Sequence, residues 1–122
     1  MILDILSKKL NSDSININYN NSKPYPHMVV DNFLKEDFAN NLHDDVRIIL
    51  KDINVSNNFT QKNKVATNDW SKFNRSTFDF ISFLNSAIFI KYLEETTKID
   101  GLIPDPSLEG GGVHSVSKHG FL

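Results

Sequence analysis

The stretch Leu108-Glu109-Gly110-Gly111-Gly112-Val113-His114-Ser115-Val116-Ser117-Lys118-His119-Gly120-Phe121-Leu122 constrains the fold of this chain more than any other. It holds four of the five glycines and two of the four histidines. Three consecutive glycines are not chosen for propensity, because each loses more backbone freedom on folding than any other residue. They mark a sharp bend or a close backbone approach. Beyond them Val113, Ser115 and Ser117 alternate with His114, Val116 and Lys118, the period of a strand. Phe121-Leu122 then reads as the opening of a further strand.

Upstream, the periodicity is helical. Phe38, Leu42, Val46, Ile49 and Leu50 form one apolar stripe, which predicts a helix from Lys35 to about Lys51. Glu36 and Asp37 fall in its first turn, where the helix dipole favours anions. Ser76-Thr77-Phe78-Asp79 fits a capping pattern opening a second helix. Asn85-Ser86 interrupts it and can cap again, so that Ile88, Phe89, Tyr92 and Leu93 carry a third helix to about Lys98. Pro104-Asp105-Pro106 forbids continuation. Residues 2–10 fit a short amphipathic helix, and Asn11–Lys23 is a polar linker or surface loop. Pro24-Tyr25-Pro26 is expected to run extended, and Met28-Val29-Val30 to form a short buried strand. The long polar stretch Asp52–Arg75 is a mobile loop near a site, a loop with irregular strands, or a segment ordered only in a longer protein. Within it Trp70 is either a core anchor or the aromatic wall of a substrate cleft.

Composition narrows the function classes. A chain of 122 residues is one domain or part of one. The net charge of −2 gives no general pull on nucleic acid or an anionic membrane. Without cysteine there is no disulfide, zinc-thiolate site or cysteine nucleophile. No apolar run reaches the ~18 residues of a membrane span, and the first ten residues do not read as a signal peptide. A cytoplasmic location is the expectation. The Asn-x-Ser/Thr triplets at Asn20, Asn54, Asn58 and Asn74 then carry no glycan.

The chemistry-bearing residues do not form a site by themselves. His43-Asp44-Asp45 has the spelling of an iron-binding His-x-Asp. On a helix, however, residues two apart point about 200° away from each other, and both are expected on the polar face. His114 and His119 face opposite ways on a continuous strand, and only Glu109 offers a carboxylate close by in sequence. Asp105 and Glu109 form a possible carboxylate pair, but turn propensity explains Asp105 more simply. The glycines lack the Gly-Lys-Ser/Thr of a phosphate loop. No catalytic or metal-ligating residue emerges.

Gly110-Gly111-Gly112-Val113-His114 followed by Gly120-Phe121-Leu122 resembles the segment just before the iron site in a prolyl-hydroxylase-like branch of the Fe(II)/2-oxoglutarate-dependent dioxygenases. Ile99-Asp100-Gly101-Leu102-Ile103-Pro104-Asp105-Pro106-Ser107-Leu108-Glu109 and Pro24-Tyr25-Pro26-His27-Met28-Val29-Val30-Asp31-Asn32-Phe33-Leu34 are similar to that branch as well. The resemblance spans residues 24–122 and leaves 1–23 as an N-terminal helix and polar linker. It implies an α+β fold, the helix-and-strand support layer of a double-stranded β-helix (jelly roll), incomplete at this length. In the family a His-x-Asp motif carrying two of the three iron ligands follows almost at once. The implied activity is hydroxylation of a prolyl or other amino-acid or peptide C–H bond, with Fe(II) and 2-oxoglutarate in the parent enzyme and neither bound by this chain alone. His114 is then a residue beside the cofactor pocket, or simply a strand residue with a hydrogen-bond partner. The implied partner is a peptide or amino-acid substrate, not nucleic acid or membrane. The other reading is a naturally truncated, non-catalytic interaction module.

Overall fold

The computed structural model describes residues 5–7 and 19–121. Its named elements are α1 (Glu36–Lys51), β1 (Lys62–Thr67), a 3-10 turn (Trp70–Lys72), α2 (Arg75–Leu84), α3 (Ala87–Thr97) and β2 (Val113–Phe121). The chain divides into two compact units, Met1–Ala39 with Ser82–Pro104, and Asn40–Ile81 with Asp105–Leu122.

The first unit is built on an aromatic cluster. Phe83 is fully buried. Its ring centroid lies 5.1 Å from Phe89 and 6.3 Å from Phe33, and Phe89 continues the cluster to Tyr92 at 5.9 Å. Tilted pairs at these separations contribute about 0.5–1.5 kcal/mol each beyond the area they bury. The helix that carries Phe89 and Tyr92 begins where the spacing predicts it. Ser86 accepts the Phe89 N–H at 3.3 Å, and the helix closes at Lys98 in the left-handed region (φ 60°), whose N–H returns to the Glu94 carbonyl. A cap of the Ser86 kind is worth about 1 kcal/mol. The Glu94 carboxylate then accepts the Leu102 N–H at 2.9 Å and holds the exit loop.

Several expectations fail in this unit. Met28–Val30 is not a strand, and Val29 is 79% exposed. An apolar run becomes a strand only where a partner edge exists, and among the described residues none pairs with it. The pairing falls instead on Leu34, which bridges Leu6 antiparallel. Ser7 N–H donates to the Phe33 carbonyl and Lys35 N–H to that of Ile5, while the Ser7 hydroxyl donates to the Asn32 carbonyl. Leu6 therefore lies in a bridge rather than in the helix expected for residues 2–10; 2–4 and 8–10 fall outside the described residues. In the expected linker, residues 19–21 form a helical turn, and 11–18 lie outside the described residues. Over residues 23–25 the chain bends rather than running extended. His27 Nδ1 bonds the Tyr25 carbonyl at 2.9 Å just beyond.

The second unit holds the C-terminal part of α1, with Ile49 and Leu50 buried as the stripe requires. Asp45 does not lie on the solvated face as expected. It is half-buried, and its carboxylate accepts the Ser76 N–H at 3.0 Å. Asp45 stands three residues after Leu42 and four before Ile49, so it shares their stripe. The second helix is therefore capped by a residue of the first, and not by the Ser76 side chain. Arg75 and Asp79 form an ion pair one turn apart at 2.6 Å.

Of the three expectations for 52–75, the loop containing irregular strand is the one observed. β1 pairs antiparallel with β2, Lys64 opposite Val116, Val65 opposite Ser115, Ala66 opposite His114 and Thr67 opposite Val113. Ser56 bridges Lys64 on the far side of β1. Trp70 takes the anchoring role: its ring lies 5.4 Å from Phe73 and 5.3 Å from Phe78, and its Nε1–H donates to the Pro106 carbonyl at 2.9 Å. Among the described residues no helix is long and apolar enough to cross a membrane.

Candidate functional site

The glycine run lies beside the end of β1, and the two together enclose a cleft of about 440 Å³, lined by Lys64, Ala66, Thr67, Asn68, residues 109–112, Val113 and His114. Its wall is set from below by Asp105. One carboxylate oxygen accepts the Glu109 N–H at 3.0 Å and the other the Gly110 N–H at 2.9 Å, while the Asp105 carbonyl accepts the Leu108 N–H. That bonding is a turn, so Asp105 and Glu109 do not act as a carboxylate pair. Leu108 is buried at 3% exposure in the left-handed region (φ 53°). Its carbonyl accepts from the Asn68 side chain at 3.2 Å.

Glycine is obligatory at two positions here. Gly112 has φ +126°, and a Cβ there would stand 2.6 Å from the Thr67 carbonyl oxygen. At Gly120 a Cβ would meet the Val116 side chain and lie 2.5 Å from the Lys62 carbonyl oxygen. Just before Gly120 the pairing is irregular. Lys62 opposes Phe121 and Lys64 opposes Val116, so residues 117–120 loop out across from Asn63. Asn63 (φ 54°) and His119 (φ 67°) both take left-handed backbone to make this possible.

His114 is exposed and lines the cleft, directly opposite Ala66. Lys64, two pairs further along, is its diagonal neighbour on the same face of the ribbon. His119 lies in the looped-out stretch and does not line the cleft. His43 is exposed and pairs with the adjacent Asp44 at 3.2 Å, while Asp45 is committed to Ser76. Among the described residues no three His, Asp or Glu side chains stand close enough to hold a metal ion. The described residues therefore do not by themselves fit an iron centre.

Sequence reasoning missed Lys64, Asn68 and Thr67. All three come from the polar stretch whose strand has no apolar alternation to reveal it. Comparisons with protein-family models, curated proteins and solved structures found no match.

Proposed function

We propose that this chain is the N-terminal portion of an Fe(II)/2-oxoglutarate-dependent oxygenase that hydroxylates a prolyl or other amino-acid or peptide C–H bond. The reading rests on the resemblance of Gly110–His114 and Gly120–Leu122 to the segment preceding the iron site. The observation that carries it is the backbone requirement at Gly112 and Gly120, where each glycine lies against the β1 backbone and no side chain fits. Gly112 and Gly120 are thus fixed by chain path and not by composition. In this reading the iron and its ligands belong to chain beyond Leu122, and His114 and Lys64 border the space the cofactor occupies. The group supplies the oxidising chemistry when bound; the residues here shape the wall beside it. A cytoplasmic location belongs to the same proposal.

A non-catalytic interaction module is the second reading. It is favoured by the fact that each compact unit has buried residues of its own, Phe83 and Tyr92 in one, Ile49, Leu50 and Ile81 in the other. The protein encoded by the whole reading frame separates the two. Succinate release that depends on 2-oxoglutarate, iron and a peptide supports the oxygenase; a metal-free protein that binds a partner without releasing succinate supports the module.

A further inference from the structure

The two paired strands read Lys-Asn-Lys-Val-Ala-Thr and Val-His-Ser-Val-Ser-Lys-His-Gly-Phe. Together they carry Lys62, Lys64, Lys118, His114 and His119 and no carboxylate, in a chain of net charge −2. Among the described residues none of the three lysines is in an ion pair. The acid that lines the adjoining cleft is Glu109, and the nearby Asp105 has both carboxylate oxygens occupied by backbone N–H groups.

The sheet has two strands, so among the described residues the outer edge of β2 is unpaired. An unpaired edge is a template for another strand unless lysine, proline or a bulge blunts it. On β2 the lysine and the irregularity fall at 117–120, and the regular part, 113–116, has neither. Backbone groups offered in a row select an extended peptide, whose own N–H and C=O groups match them; a nucleic acid has no such row.

We propose that this ribbon docks an extended acidic peptide, which adds as a strand to the outer edge of β2. Its alternate carboxylates face the side on which His114 and Lys64 stand, since residues two apart in a strand share a face. Where the oxygenase reading holds, this peptide is the substrate class. The substrate role rests on the oxygenase reading; the binding itself does not.

The test uses the 122-residue chain, without metal, and fluorescence anisotropy of labelled probes. The probes are an alternating Glu-Thr peptide, its Lys-Thr counterpart, a Glu-Thr peptide N-methylated at alternate residues, a thymidine oligonucleotide and vesicles containing phosphatidylserine. The expected result is binding of the Glu-Thr peptide that weakens with added salt and drops about tenfold in the exposed double variant Lys62→Glu/Lys118→Glu. Binding of the N-methylated peptide is expected to be lost. Equal binding of the Lys-Thr or N-methylated peptide, tighter binding of the oligonucleotide or vesicles, or no binding of the Glu-Thr peptide overturns the proposal. Binding as expected by a reading frame that never releases succinate keeps the docking strand and removes only the oxygenase.

Discussion

The carboxylate of Asp45, on α1, accepts the backbone N–H of Ser76 at 3.0 Å and so caps α2 from outside that helix. The first turn of a helix leaves four N–H groups without intrahelical partners. Here the satisfying acceptor comes from another element, so one hydrogen bond ties local helix formation to tertiary packing. Asp45→Ala should lower stability by about 1 kcal/mol, and Asp45→Asn by less, because the amide oxygen can still accept. Urea denaturation of the two variants measures this; equal, negligible losses would show that the contact is incidental.

The glycines rank by available space. Gly112→Ala forces a Cβ to 2.6 Å from a carbonyl oxygen at φ +126°, and should cost more than about 1 kcal/mol. Gly101→Ala, at φ +75° with nothing within 4 Å, carries only the backbone strain of about 1 kcal/mol. Thermal melts of the pair should place Gly112→Ala clearly below Gly101→Ala.

Trp70 is the sole tryptophan, so its fluorescence reports on the second unit alone. Trp70→Phe keeps a ring against Phe73 and Phe78 but removes the N–H donated to Pro106. A loss of about 1 kcal/mol is expected in chemical denaturation followed by circular dichroism. Trp70→Ala should cost distinctly more, because the aromatic contacts go as well.

The Asp69 carboxyl is held below its usual value of 3.8 by the hydrogen bond from the Ser71 hydroxyl, then by that from the Ser71 N–H, with Lys72 adding attraction. A depressed carboxyl stabilises the 3-10 turn above the unfolded value and loses that contribution as pH falls through the folded one. Titration of the Asp69 side-chain carbon by NMR should give a midpoint under 3.8, and Ser71→Ala should raise it. No movement in Ser71→Ala would remove the hydroxyl as the cause.

What the sequence made legible is what single segments encode by themselves. The α1 stripe and the Ser86 cap need no partner to be recognised, because periodicity and side-chain chemistry carry them locally. The alternation of Val113–Lys118 gave β2 for the same reason. β1 was hidden because its residues alternate in neither direction; it is a strand only because β2 lies beside it. Met28–Val30 errs the opposite way, having strand composition but no partner among the described residues. Asp45 was legible in principle, since its spacing from Leu42 and Ile49 puts it on the packed stripe. An acid on such a stripe stands where it can accept a part-buried N–H, as Asp45 does from Ser76. In the cleft, His114 and the glycines could be named in advance, whereas Lys64 and Asn68 enter through cross-strand register, which no local pattern reveals.

The most direct measurement is the nucleotide sequence following the codon for Leu122. If the chain is the leading part of a 2-oxoglutarate oxygenase, the frame stays open and encodes His-x-Asp about three positions after Gly120-Phe121-Leu122. That motif would lie on a strand, where residues two apart project from one face and can bind a single iron. A later histidine and an Arg or Lys suited to a distal carboxylate should follow. A stop codon there, or a continuation without such a motif, contradicts the oxygenase assignment.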